Sequence, residues 1–202
     1  METAFSVLAC IVGVSVVVAC VVLGLRHSRR SVGRLQAVVS GYERVLGGLA
    51  GRAGMRLQGP EPHVHPVVGA IPAWPSAVGR IDGVDVAIDV EAEGGDSPVV
   101  VRTRLRFGAP AGTQIRGSLR GATFRLPRGR DRLASEVQPP LAAELATLAG
   151  RIDVGDADVA VLARPTPGQH SGMDYEFKLA LDVDELERLV RAGVALVRQL
   201  AG

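Results

Sequence analysis

The hydrophobic pattern of the chain opens with an unbroken run of uncharged, mostly apolar residues from Ala4 to Leu25. Because a helix rises about 1.5 Å per residue, a run of this length matches the roughly 30 Å hydrocarbon core of a bilayer. Basic side chains follow the run directly, at Arg26, His27, Arg29 and Arg30. Since such flanks stay in the cytoplasm, the pattern predicts a single-pass transmembrane anchor over residues 1–30, with its N-terminus outside and the rest of the chain cytoplasmic.

A competing interpretation rests on Val17 to Cys20, which loosely resembles the lipobox of an exported bacterial lipoprotein, with Cys20 as the lipidated residue. A secretory signal also needs a positive N-terminal region and a short apolar stretch. Met1, Glu2 and Thr3 carry no positive charge, and the apolar run continues beyond Cys20. The uncleaved anchor is therefore favoured, and an exported lipid-anchored envelope protein is the alternative.

The small residues of the predicted anchor share one helix face, and they are Ala9, Gly13, Cys20 and Gly24. Ala9 and Gly13 have the small-xxx-small spacing that allows two helices to approach closely. The pattern is compatible with a homodimer formed through the transmembrane helix, although valine-rich spans contain small residues in any case.

The next two segments differ in their periodicity. Apolar residues from Leu35 to Leu49 recur at spacings of three and four, which predicts a juxtamembrane helix over residues 31–56. This helix has three possible positions: on the membrane surface, against a second copy, or packed on the following domain. Five prolines within residues 57–75 predict a linker or a loop draped over the domain, with Trp74 as its point of attachment.

From residue 76 the pattern alternates with a period of two. Asp82-Gly83 separates two alternating segments and predicts a type I′ hairpin. Two further alternating strands follow, joined by a loop that we place at residues 94–97. This loop would set Asp89 opposite Arg102 and Asp85 opposite Arg106, giving the pair one apolar face and one charge-paired face.

The remaining segments complete one α+β domain over residues 76–202. Strands are predicted within 114–126, 152–162 and 174–181, and a short helix over 141–148 starts after two prolines. A last helix begins at Asp182 or Asp184 and carries an apolar stripe. The predicted fold class is therefore α+β: one N-terminal transmembrane helix, then a mostly antiparallel sheet with a short helix and a C-terminal packing helix.

Composition excludes several classes of function. Both cysteines lie in the apolar run, so the rest of the chain has no disulfide, thiol nucleophile or cysteine-based zinc site. The formal net charge of +2 does not argue for nucleic acid. Lys178 is the only lysine, which is typical of a GC-rich bacterial genome.

Candidate chemistry is sparse. His63 and His65 would need two more ligands to hold zinc, and the acids Asp153, Asp156 and Asp158 lack the calcium-loop pattern. The sequence has no phosphate-binding loop. Ser171 does not lie in the G-x-S-x-G motif of a nucleophile elbow. The sequence therefore predicts no catalytic residue, no metal and no cofactor.

One segment is strongly basic, with arginine at positions Arg116, Arg120, Arg125, Arg128, Arg130 and Arg132. On a membrane-tethered domain such a patch could rest on anionic lipid headgroups. An ordinary solvated sheet edge is the favoured interpretation of this segment. Lipid headgroups come second, and contact with a nucleic-acid backbone is the least favoured.

Taken together, these patterns resemble no family that we recognise. They favour a bacterial inner-membrane protein with a cytoplasmic binding or scaffolding domain, whose partners are the lipid bilayer, a second copy and an unidentified protein. A membrane-tethered enzyme is the less favoured alternative.

Overall fold

The computed structural model describes residues 34–65, 69–93, 99–108, 117–120, 123–125, 137–154, 158–167 and 175–201. The chain divides into two compact units, Met1–Ser40 and Gly41–Gly202. In the first unit the described residues are 34–40, which are helical. The predicted anchor, with Ala9, Gly13, Cys20 and Gly24, lies outside the described residues. Within them, no helix has both the length and the apolar character needed to cross a membrane.

The second unit contains three described helices and nine described strands. In chain order they are α1 (41–53), β1 (Arg56–His65), β2 (Gly69–Ile81), β3 (Val84–Glu93), β4 (Val99–Gly108), β5 (Gly117–Arg120), β6 (Thr123–Arg125), α2 (Pro139–Leu148), β7 (Ala149–Val154), β8 (Asp158–Ala163), β9 (Tyr175–Lys178) and α3 (Val183–Ala201).

The strands form one sheet in the order β1-β2-β3-β4-β8-β7-β5-β6. Strands β8 and β9 share one edge of β4: β8 pairs along residues 104–108 and β9 along residues 99–102. Strand β9 runs parallel to β4, and the other described pairs are antiparallel. The prediction of an α+β fold with a mostly antiparallel sheet is therefore confirmed.

Helix α1 turns its apolar side toward the core of the second unit. Tyr42, Leu46 and Leu49 recur at spacings of four and three and are fully buried, as expected for one face of a helix. Of the three positions open to the predicted juxtamembrane helix 31–56, packing on the domain is the one found for residues 41–53.

Strands β2 and β3 form the hairpin that the sequence predicts. Ile81 pairs with Val84 across a two-residue turn. Asp82 and Gly83 have φ angles of 49° and 84°, and a type I′ turn requires positive φ at both central positions. The predicted hairpin is confirmed.

The prediction of a linker over residues 57–75 is wrong, because this segment contains most of β1 and half of β2. The four prolines of this segment that the structure describes lie where a sheet tolerates a missing N–H group. Pro60 and Pro62 coincide with the two register shifts of β1, which is an edge strand. Pro72 and Pro75 precede Ala77, where the pairing of β2 with β3 begins.

Strands β3 and β4 pair in a register two residues away from the predicted one. Asp89 faces Arg104, not Arg102, and the predicted pairing of Asp85 with Arg106 is wrong for the same reason. A shift of two residues leaves every side chain on its predicted face, because side chains alternate with a period of two. The apolar face and the charged face are therefore as predicted, although the partners are not.

Helix α3 begins as its sequence predicts and packs directly on β4. The Asp182 carboxylate accepts hydrogen bonds from the backbone N–H groups of Asp184 and Glu185, at 2.9 and 3.1 Å, so Asp182 caps the helix. Gly193 lies against the ring of Phe107: a Cβ atom added there would be 2.2 Å from Cζ. Only glycine allows this helix to approach the sheet so closely.

The contact between Gly193 and Phe107 gives the first prediction. In a chain of residues 34–202, Gly193→Ala should lower the free energy of unfolding by about 1–3 kcal/mol, because overpacking outweighs the better helix propensity of alanine. The control is Gly51→Ala, since nothing lies within 4 Å of a Cβ atom there and alanine should be neutral or stabilising. Urea unfolding of both variants measures the difference, and equal stability of the two would contradict the packing described.

Candidate functional site

The sheet has two chemically opposite faces, because side chains alternate along each strand. On the inner face, β3 and β4 carry buried apolar residues that pack beneath α3. On the opposite face the same two strands carry a surface that we call the charged face, formed by Asp89, Glu91, Glu93, Arg102, Arg104 and Arg106.

Asp89 is the centre of the charged face. Arg104 donates two hydrogen bonds to it, from Nε to Oδ1 at 2.9 Å and from Nη2 to Oδ2 at 3.1 Å. Arg106 donates a third, from Nη2 to Oδ2 at 2.8 Å. The hydrogen bond to Asp89 raises the pKa of Arg104 above its ordinary value. One carboxylate thus fixes the orientation of two guanidinium groups.

The other members of the charged face are also engaged with one another. Arg102 Nε lies 3.2 Å from a carboxylate oxygen of Glu93, and Arg104 Nη1 lies 4.0 Å from one of Glu91. Because three acids balance three arginines, the face offers no net positive field to an anionic ligand. This surface therefore does not suit an anionic lipid layer or a nucleic-acid backbone.

Sequence reasoning missed a polar contact that links the two faces through Asp89. The Tyr42 hydroxyl, buried beneath the sheet, donates to the backbone O of Asp89 at 3.4 Å. Burial raises the pKa of Tyr42 well above its ordinary value, against the opposing effect of a hydrogen bond with Thr103. A contact between residues so distant in the chain leaves no trace in local periodicity.

Tyr42 also belongs to an aromatic group, in which Tyr42 and Trp74 are buried and Phe177 is partly exposed. Its ring makes an edge contact with Trp74, at a centroid distance of 6.0 Å, and Trp74 lies 6.1 Å from Phe177. Trp74 is buried and lies within β2, not in a linker attached to the domain. Among the described residues, the Nε1–H group of Trp74 is the one buried side-chain polar group that has no hydrogen-bond partner.

The predicted arginine patch is described only in part. Arg120 ends β5 and Arg125 ends β6, and these two strands form the sheet edge opposite β1. Arg116, Arg128, Arg130 and Arg132 lie outside the described residues. The structure thus brings two of the six positions to one short hairpin and leaves the patch a prediction.

The candidate metal and catalytic residues do not converge where they are described. His63 and His65 lie on β1, opposite Ile71 and Gly69. Asp153 lies on β7, 2.7 Å from Arg151 Nε. Asp156 and Ser171 fall outside the described residues. In the described ranges, no group of three or more histidine, cysteine, aspartate or glutamate residues is placed to hold a metal ion.

No family model, curated protein or solved structure matches this chain. The functional argument therefore rests on the residues and contacts described above.

The raised pKa of Tyr42 predicts how stability depends on alkaline pH. The unfolded chain releases the phenolic proton near its ordinary pKa while the folded chain retains it. This contribution to stability is therefore complete below about pH 10 and falls by about 1.4 kcal/mol per pH unit above that. Urea unfolding of residues 34–202 at several alkaline pH values measures the slope.

Tyr42→Phe is the control for this slope. The variant loses the hydroxyl contact at every pH, a cost of about 1 kcal/mol, but it should lack the alkaline decline due to this residue. Parallel pH profiles for the two proteins would contradict the burial of a protonated Tyr42.

Proposed function

We propose that this protein is a single-pass membrane protein whose α+β domain binds or organises other molecules and catalyses no reaction. The binding half of the proposal rests on one observation: the charged face is a fixed, solvent-facing array of paired side chains on a rigid sheet. Arrays of this kind provide geometric complementarity, whereas catalysis needs reactive groups that converge on a substrate.

The anchoring half of the proposal is supported by the sequence alone. Residues 4–25 carry no charge, and the basic residues lie only on the C-terminal flank. Positive charge on that side favours an anchor in a bacterial inner membrane whose following domain lies in the cytoplasm. The alternative is an exported protein held by lipid on Cys20, and a membrane-tethered enzyme is the less favoured possibility.

Anchoring and orientation are tested together. The full chain should stay in the membrane after alkaline carbonate extraction, because a spanning helix is held by the hydrophobic effect. A fluorescent reporter fused after Gly202 should be active, and protease added outside intact cells should leave it uncut. Digestion of the reporter from outside would overturn the proposed orientation.

Cys20→Ala separates the two modes of anchoring. A spanning helix keeps this variant in the membrane, whereas a lipoprotein loses its anchor and appears in the soluble fraction. Cys10→Ala is the matched control, because it changes the other cysteine of the same run.

We further propose that the arginine patch rests on anionic lipid. Each basic residue near such a surface contributes about 1 kcal/mol. Changing Arg125, Arg128 and Arg130 to serine should therefore weaken flotation of residues 34–202 with phosphatidylglycerol vesicles by roughly a hundredfold. Neutral vesicles should bind neither protein.

The control for flotation changes three arginines of α3, which are Arg188, Arg191 and Arg198. All three are exposed and form ion pairs with Glu144, Glu187 and Asp82, so their loss changes the net charge by the same amount at another place. Equal flotation of both triple variants would remove the patch from the proposal.

A further inference from the structure

The charged face has a pattern of charge that is complementary to itself. Glu91 pairs across the strands with Arg102, and Asp89 with Arg104. The acids form one row along β3, and the arginines form a parallel row along β4. Each row spans roughly 14 Å, because alternate residues on a strand are about 7 Å apart.

A two-fold axis lying between β3 and β4, parallel to both strands, would place a second copy face to face with the first. This rotation exchanges the two rows but keeps the position along the strands. Glu91 of each copy then lies over Arg102 of the other, and Asp89 over Arg104. Such an interface is isologous, with every contact made twice.

We propose that two copies of this chain associate through their charged faces in this arrangement. The inference goes beyond the proposed function and does not require the transmembrane helix to pair. In the described part of the chain, the helices that pack on the sheet lie on its other face, which leaves the charged face open to a partner of this kind.

A second copy fits this face better than a lipid layer or a nucleic acid. An extended anion that met the arginine row would also meet the adjacent acid row, and repulsion would cancel the attraction. A second copy presents the opposite charge to both rows at once. Phosphatidylglycerol vesicles are therefore expected to leave the association unchanged.

The arrangement of side chains within one copy also favours the association. Asp89 already orders Arg104 and Arg106 through three hydrogen bonds, so little side-chain freedom remains to be lost on binding. Desolvation of the ion pairs opposes the association. We therefore expect a modest affinity, which tethering to one membrane would raise through the local concentration.

An exchange of charge within one pair tests the proposal. In the double variant Glu91→Arg/Arg102→Glu, the new Arg side chain lies between Asp89 and Glu93, and the new Glu side chain lies beside Arg104 and Lys178. The two facing positions thus keep one acid and one base with reversed polarity, although the wild-type contacts of Arg102 with Glu93 and of Arg104 with Glu91 are lost. Two exchanged copies remain complementary, but an exchanged copy facing a wild-type copy sets like charges opposite each other at two symmetric contacts.

The measurement uses two differently tagged full-length chains, expressed together and purified in mild detergent. Wild type should capture wild type, and the exchanged chain should capture itself, to the same extent. Capture between wild type and the exchanged chain should be about tenfold lower or less. Equal capture in all three combinations, or none in either matched combination, would overturn the proposal; equal capture is the result that association through the transmembrane helix alone would give.

The matched control exchanges an ion pair away from the sheet. Arg188 and Glu144 form an exposed pair between α3 and α2, with a distance of 3.4 Å from Nε to Oε1. The variant Glu144→Arg/Arg188→Glu alters the same residue types and should be captured by wild type at the level of wild type itself.

Cross-linking provides a second measurement that does not depend on the stability of the charge-exchanged chain. Both native cysteines are changed to serine, and Ala87→Cys adds one thiol on the charged face, opposite Arg106. The backbones of stacked sheets are about 10 Å apart, so the two thiols of a face-to-face pair would lie within that distance of each other. A bismaleimide of that reach should link two copies of the Ala87→Cys variant. It should not link two copies of the control variant, Ala143→Cys, whose thiol lies on α2. Equal linking of the two variants would contradict the arrangement.

Discussion

The burial of one side of β4 beneath helix α3 is the constraint on which the rest of the structure depends. Val101, Leu105 and Phe107 are fully buried, whereas Arg102, Arg104 and Arg106 occupy the intervening positions. A slip of one residue would turn the arginines into the core and expose the apolar side chains. Because each buried, unpaired charge costs several kcal/mol, the strand has only one allowed choice of face.

This choice of face has consequences on both sides of the sheet. Inside, the ring of Phe107 meets the backbone at Gly193, so the helix approaches β4 closely. Outside, the arginine row meets the acids of β3 and converges on Asp89. Asp89 joins the two sides, since its carboxylate accepts from arginines while its carbonyl accepts from Tyr42. Packing and surface chemistry are therefore coupled at a single residue.

The alternating pattern allows the faces of β3 and β4 to be predicted from sequence, but it does not determine their register. Shifts by two residues preserve every face, so the pattern alone cannot distinguish Asp89 opposite Arg102 from Asp89 opposite Arg104. The register found brings Arg104 and Arg106 together on one carboxylate, an arrangement that depends on side-chain geometry across strands. The hairpin at Asp82-Gly83 was predictable because two residues with positive φ specify it locally.

The prolines of residues 57–75 show a different limit. Counting prolines indicates a loop, yet their effect depends on whether the missing N–H group would have had a partner. Pro60 and Pro62 coincide with register shifts of an edge strand, and the location of such shifts follows from the pairing of β1 with β2. By contrast, the cap of α3 and its apolar stripe are local features. The stripe was predicted correctly, and Asp182 is one of the two predicted cap positions.

The charged face and the arginine patch differ in how their charges are compensated, and this difference separates their proposed partners. On the charged face each arginine contacts an acid, so this face attracts only a partner that also carries a row of acids beside a row of basic residues. In the segment from Arg116 to Arg132 one acid accompanies six arginines, so any dense layer of negative charge attracts it. The attraction between the arginine patch and such a layer is exposed to solvent and weakens as the salt concentration rises, because the screening length falls to about 8 Å at physiological ionic strength. Ion pairs enclosed between two sheets are screened much less, so association through the charged face should persist at salt concentrations that release the domain from lipid.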